Sequence, residues 1–275
     1  LWGGSAGADT LIGGTGNDTF IVDRLTGVTI QESSGGGNDT VRASVTHTLA
    51  ANVENLVLTG TAAINGTGNA LANVLTGNSA ANTLDGAGGN DVFIALNGDG
   101  NDRFIGGAGT DTIDFSQVTT AVAISLVDGR ATGTQSGSDR IETIENIIGS
   151  MAGDHITAGT GVNVLTGGGG NDVFAWRTTG AAGNGTTRDI ITDFMKGADR
   201  IDLSGIDANT RVVGDQAFTL LNLPGAAFTN TPGQLRYAYE AGNTIISGDV
   251  NGDGIADFQI QLTGTITLSI GDFTP

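Results

Sequence analysis

Residues 149–175 read GSMAGDHITAGTGVNVLTGGGGNDVFA and divide into three nonapeptides. Each opens on a turn of small residues. Each places Asp154, Asn163 or Asp172 sixth and an apolar residue, Ile156, Leu165 or Phe174, eighth. The same spacing links Asp9 to Asp18, runs through Asn73, Asn82 and Asp91, and links Asp102 to Asp111. A helix repeats its apolar positions every three or four residues and a strand every two. A period of nine fits neither; it describes a turn plus a very short strand, repeated.

The form G-G-x-G-x-D-x-U-x, with U apolar, marks a calcium-binding parallel β-helix repeat. In residues 4–12 (GSAGADTLI) and 13–21 (GGTGNDTFI) six residues turn and three extend. Two units close one coil, so residues eighteen apart stack on one side. Leu11 and Phe20 then point inward by strand alternation. The expected fold is all-β: a right-handed parallel β-roll, a calcium-binding solenoid, with a C-terminal β-rich capping domain.

Composition agrees. Glycine supplies 47 of 275 residues, more than twice ordinary usage of ~7 %. Cysteine is absent, so no disulfide stabilises the fold. The formal net charge of −18 excludes nucleic acid, whose phosphates demand Lys and Arg. The acids are 24 Asp and 5 Glu. Asp acts closely with its own backbone in turns, so this bias points to ligands rather than solubilising charge. A compact chain this acidic repels itself, and about nine Ca²⁺, which take oxygen ligands, would cancel the charge. No apolar run reaches the roughly 18 residues of a membrane span, and no signal peptide is visible. The chain opens in mid-pattern at Gly3-Gly4 and reads as the C-terminal part of a longer protein.

Three domains are expected. Residues 1–114 carry roll repeats with an irregular strand insert at 22–64, whose core candidates are Val28, Ile30, Val41, Val45, Leu56 and Leu58. Residues 115–175 add a second strand insert and the block quoted above. In residues 176–275 glycine thins and aromatic residues and alternating strands take over, as suits a cap on an open solenoid end.

Eight turn aspartates, Asp9, Asp18, Asp39, Asp91, Asp102, Asp111, Asp154 and Asp172, are the first candidate ligands. Asn73 and Asn82 replace Asp with a neutral amide, and their coils are expected to stack without metal. Asp249, Asn251, Asp253 and Asp257 have the D-x-N-x-D-G spacing of an EF-hand-like loop. Position twelve is Ile260, not Glu, so a tight acidic turn is the first reading and a calcium site the second. No catalytic constellation stands out. His155 should face solvent, Glu142 and Glu145 suit a solvated strand, and Trp2 and Trp176 suit strand-end packing.

The repeats resemble those of the RTX (repeats-in-toxin) proteins secreted by Gram-negative bacteria. The last hundred residues are similar to the C-terminal domain of serralysin-type metalloproteases. That likeness rests on Asp189-Ile-Ile-Thr-Asp193-Phe194, Asp199-Arg-Ile-Asp202-Leu203, Gln216-Ala217-Phe218, Gly233-Gln234-Leu235-Arg236-Tyr237, Asp257-Phe258 and Asp272-Phe273. The resemblance implies several bound Ca²⁺ ions, folding outside the cell, and an uncleaved C-terminal signal read by type I secretion machinery. It also implies that carbonyls of the second and fourth turn residues are ligands: Gly14, Gly16, Gly98, Gly100, Gly107, Gly109, Gly168 and Gly170. The zinc motif of the proteases is absent, so no enzyme activity is expected of this chain.

The expected function is a calcium-binding region that folds extracellularly and directs secretion of a larger protein, with association to the cell surface as a further expectation. One alternative is a surface-layer or adhesin protein that self-assembles. Another is part of a secreted polysaccharide-active enzyme or protease, with cell-surface polysaccharide as a partner.

Overall fold

The computed structural model describes residues 1–4 and 7–274; Ser5 and Ala6 of the first nonapeptide lie outside the described residues. The chain divides into two compact units, Leu1–Thr119 with Gly129–Asn146 and Thr120–Asp128 with Ile147–Pro275. Both are β-rolls of short parallel strands.

In the first unit one parallel sheet runs through Thr19–Val22, Thr40–Ala43, Asn55–Leu58, Val74–Thr76, Val92–Ile94 and Thr112–Asp114. The other runs through His47–Thr48, Gly66–Thr67, Thr83–Asp85, Arg103–Ile105 and Gly137–Glu142, with Arg130–Gly133 added antiparallel. From Thr40–Ala43 to Thr112–Asp114 successive strands alternate between the two sheets, which is what two nonapeptides per coil require, while Asp9–Ile12 and Val28–Gln31 pair in a small sheet of their own. Each three-residue strand buries its middle residue: Leu75, Leu84, Phe93, Phe104 and Ile113 are at most 1 % exposed. Phe93 and Phe104, from opposite sheets, meet edge to face at 5.8 Å. Each such burial contributes roughly 1.5–3 kcal/mol.

The expected stacking by eighteen is present. Leu75 pairs with Phe93 in the first unit, and Ile156 with Phe174 and Ile147 with Leu165 in the second. Insertions are absorbed without loss of register: Phe93 pairs with Ile113, twenty residues on, and Phe104 with Ile141, thirty-seven on. Among the core candidates of 22–64, Val41, Leu56 and Leu58 are buried. Val28, Ile30 and Val45 are only half-buried. Val22 and Ala43 take inward places instead, because the four-residue strands Thr19–Val22 and Thr40–Ala43 each turn two alternate residues to the core.

In the second unit Val122–Ser125, His155–Thr157, Val173–Ala175, Arg200–Asp202 and Phe273–Thr274 form one parallel sheet. The opposite sheet carries Val164–Thr166 and Asp189–Ile191. It then continues through Phe258–Leu262 into the antiparallel strands Asn243–Asp249 and Gln234–Glu240. Those two strands turn at Ala241-Gly242, both with positive φ (+47° and +83°), as a two-residue hairpin loop of matching twist requires. Phe218, Tyr237 and Phe258 are buried beside this hairpin. Phe228 is half-buried, with the Arg236 guanidinium 4.6 Å above its ring. Among the described residues no helix is long and apolar enough to cross a membrane.

Candidate metal centres

The turn carboxylates form ladders. In each rung Oδ1 of one Asp accepts the backbone N–H at the sixth place of the preceding coil on that side. Asp39 receives Asp18 at 2.7 Å, Asp91 receives Asn73 at 2.7 Å, and Asp111 receives Asp91 at 2.8 Å. On the other side of the first unit Asp102 receives Asn82 and Asp139 receives Asp102, both at 2.8 Å. In the second unit Asp172 receives Asp154 at 2.8 Å and Asp199 receives Asp172 at 2.9 Å. Stacked coils thus bring the acids into columns.

One oxygen of each carboxylate is therefore occupied; the other decides what the column can hold. Among the described residues eight buried carboxylate oxygens have no hydrogen-bond partner: those of Asp18, Glu32, Asp39, Asp91, Asp99, Asp102, Asp111 and Asp139. All eight lie in the first unit. A buried, unpaired carboxylate oxygen costs several kcal/mol unless a cation or donor meets it. Oxygens of Asp18, Glu32 and Asp39 lie within 4.8 Å of one another. Burial pushes Asp139 up to about 8, and the charges of Asp99 and Asp102 add to it. Burial likewise raises Asp102 to about 7 and Asp99 and Asp91 to about 6. A divalent cation beside these oxygens would supply the missing partner and favour the ionised form. Carboxylate and carbonyl oxygen is the donor chemistry of Ca²⁺, and the residues present fit it.

Glycine builds the space. All eight glycines expected to offer carbonyls have positive φ, from +71° at Gly98 to +148° at Gly109, a conformation costly for any side chain. The first place of the repeat also needs glycine, for room rather than for φ. A Cβ on Gly86, Gly106, Gly149 or Gly167 would collide with Oδ2 of Asp91, Asp111, Asp154 or Asp172, five residues on.

In the second unit protein donors reach more of these oxygens. Asp154 accepts from Val122 N at 2.7 Å and from Ser150 N and Oγ at 2.5 and 2.8 Å. Asp189, fully buried, accepts from Asn163 N and from Trp176 Nε1, both at 2.7 Å. Burial nevertheless raises Asp189 to about 7 and Asp172 to about 6. Asp199 accepts from Asp172 N and Met195 N.

The amide turns stack by hydrogen bonds. Asn73 Nδ2 donates to the carbonyls of Val53 and Glu54, and Asn82 Nδ2 to that of Ile64. Asn69 and Asn78 repeat the device one turn-half earlier, bonding Ala50 and Val53, and Thr59 and Ala62. An N–H donor here faces carbonyls of the adjacent coil.

Five expected ligands, Asp9 and the four of the 249–257 loop, have protein partners of another kind. Asp9 pairs with the Arg24 guanidinium, and its own N–H goes to Gly27 O at 2.7 Å rather than to a carboxylate. In the 249–257 loop both Asp249 oxygens accept loop amides, from Gly252 at 2.5 Å and Gly254 at 2.9 Å. Asp257 accepts from Val250 N and Asn251 Nδ2, and Asn251 and Asp253 each accept an amide two residues on. The loop closes on itself.

His155 is exposed. Glu142 joins Arg103 and Arg140, and Glu145 accepts Asp111 N at 2.9 Å. Trp2 is 58 % exposed and Trp176 is 1 % exposed.

Glu32, Glu54, Glu145, Asp99, Asp139, Asp189 and Asp199 all join ladders or acid clusters without having been assigned as ligands. Asp139, Asp189 and Asp199 stand sixth in weak repeats with a single glycine: TQSGSDRIE (134–142), NGTTRDIIT (184–192) and FMKGADRID (194–202). The signal was D-x-U without the glycine run.

The family description "Peptidase M10 serralysin C terminal" matches residues 103–274. "RTX calcium-binding nonapeptide repeat (4 copies)" matches residues 3–24 and 67–99. A Pseudomonas marginalis protein, metallopeptidase AprA, is 34 % identical over 189 residues, covering 59 % of this chain and 37 % of that protein. The chain thus spans little more than a third of that relative's length.

Proposed function

The chain belongs to the peptidase M10 serralysin C-terminal family and carries calcium-binding RTX nonapeptide repeats, and from that premise we propose a calcium-gated folding and secretion region of a larger extracellular protein. The observation that carries this reading is the set of eight buried, unpartnered carboxylate oxygens in the first unit. Without cations those groups oppose compaction, and the repeats cannot offset their chain entropy. A bacterial cytosol holds little free calcium, so the chain stays loose enough to pass a type I secretion channel. Outside, ions that bind the folded state alone stabilise it by mass action.

In this reading the ligands are Asp18, Asp39, Asp91, Asp102, Asp111, Asp154 and Asp172, with Glu32, Asp99 and Asp139 added. The carbonyls of the paired turn glycines complete each shell. Calcium supplies charge neutralisation and cross-links adjacent coils. The chain's own amides hold the carboxylates in column, and the glycines keep side chains out. Residues 176–275 cover the end of the roll, and the segment that ends at Asp272-Phe273 carries the secretion signal.

Circular dichroism tests the reading directly. The chain in EDTA should lose most of its β signal, regain it in millimolar Ca²⁺, and not regain it in equal Mg²⁺, which demands a stricter octahedron. A chelated sample with its full β signal overturns the proposal.

A further inference from the structure

This chain holds only 11 Lys and Arg among 275 residues, yet three arginines stand side by side on one sheet face. Arg103 is the register partner of Arg140 across a parallel pair. Arg140 is the register partner of Arg130 across the adjoining antiparallel pair. Neighbouring strands lie about 4.8 Å apart, so three like charges share a row about 10 Å long. Like charges directly opposite on a sheet are destabilising.

One acid relieves the row incompletely. Glu142 is held by Arg103 through a two-point fork, Nε at 2.9 Å and Nη2 at 2.6 Å. Its Oε1 also lies 3.2 Å from Arg140 Nε. Arg130 gives one hydrogen bond, to Ser138 Oγ at 3.2 Å. Each guanidinium carries five N–H groups, so Arg130 and Arg140 keep donors for something else. The Arg140 side chain is 71 % exposed and that of Arg103 45 %. The row lines a cavity of ≈ 400 Å³ whose walls add Asn65, Asn82, Thr83, Asn101 and Ser138, with Asp102 as the one acid, held in its column by the N–H of Asn82. No large apolar or aromatic side chain lines it.

We propose that this trough binds a carboxylated sugar, its carboxylate held between Arg130 and Arg140 and its hydroxyls by the amide and hydroxyl rim. The row already displays the recognition it would use, since a carboxylate sits in the Arg103 fork. Arginine's planar fork matches carboxylates in two-point geometry. Asn, Ser and Thr offer the donors and acceptors that hydroxyls need. The trough lacks the apolar pocket a peptide anchor would fill.

The test uses the whole chain in saturating calcium, with its β signal verified beforehand, so that failure here is separable from failure of the calcium reading. Titration with trigalacturonate should show saturable one-site binding. Neutral trigalactose and inorganic sulfate at equal concentration should bind at least about tenfold more weakly, each lacking part of the charge-assisted or hydroxyl contacts. The exposed pair R130Q/R140Q leaves the Arg103–Glu142 fork intact and should weaken trigalacturonate at least about tenfold while the β signal in calcium is kept. Three results overturn the proposal: no binding above trigalactose, equal binding by the variant, or sulfate binding as tightly as the sugar acid. Equal binding by the variant would mean a calcium bridge to the acidic columns instead.

Discussion

The backbone N–H of Asp102 donates to Oδ1 of Asp139 at 2.8 Å, across thirty-seven residues and a hairpin. The insertion between them leaves the column unbroken. Asp139 is 1 % exposed, and its other oxygen has no partner. Asp139→Asn keeps an oxygen for Asp102 and removes the charge. Calcium affinity tracks the charge of the ligand set, so titration calorimetry should show one site lost or weakened about tenfold. Refolding at low calcium should be less sensitive to added ion. Unchanged stoichiometry and affinity would remove Asp139 from the ligands.

The metal-free chain should respond to pH in an unusual direction. Asp139, Asp102 and Asp91 are raised to about 8, 7 and 6 by burial, whereas an unfolded Asp titrates near 4. The folded state therefore holds protons that the unfolded chain releases. That stabilisation is complete below about pH 4 and is lost as pH rises through about 6 to 8. Metal-stripped protein should gain β signal as pH falls from 8 to 5. Saturating calcium should remove this dependence, because the ion replaces the proton. A metal-free β signal that grows with pH in this window contradicts the assignment.

Gly86 separates space from backbone strain. A Cβ there would strike Asp91 Oδ2 and lie 2.7 Å from the carbonyl oxygen of Gly106. Gly86→Ala should reduce bound calcium by about one ion and lower stability in calcium by roughly 1–3 kcal/mol, the range of an overpacked site. Equilibrium dialysis paired with denaturant titration reads both. Full calcium occupancy in the variant would show that the room beside Asp91 is not where an ion sits.

Trp176→Phe addresses a column end closed without metal. It removes the 2.7 Å indole N–H from Asp189 and keeps most of the buried ring. An orphaned buried acceptor costs about 1–3 kcal/mol, so the urea midpoint should fall accordingly. Calcium stoichiometry should not change, and a lost ion would show instead that Asp189 is a ligand.

Much of this architecture follows from one regularity. Leu75, Phe93, Ile156 and Phe174 are buried because place eight of each repeat is the middle of a three-residue strand. The coil of eighteen follows from two repeats. Glu32, Glu54 and Glu145 were hidden because they come from irregular stretches, where only the folded path brings them beside Asp18, Asp39 and Asp111. Asp189 and Asp199 were hidden because their turns hold one glycine and other hydrogen bonds hold the backbone. The 249–257 loop shows the converse: its spacing suggests a metal loop, yet its carboxylates already accept the loop's own amides. The arginine row exists only once the hairpin sets 130 against 140 and 140 against 103.

The alternation of successive strands between two sheets quantises how such a chain can change length. Excising nine residues would send every later turn to the opposite side, parting Asp from its column and amide turn from amide turn. Excising eighteen, as between Leu75 and Phe93, returns each residue to its own side with one storey fewer. Two extra residues confined to a turn, as between Phe93 and Ile113, leave the storeys intact. Descendants of this chain are therefore free to grow or shrink by whole storeys and by loops, while a half-storey step inverts everything beyond it.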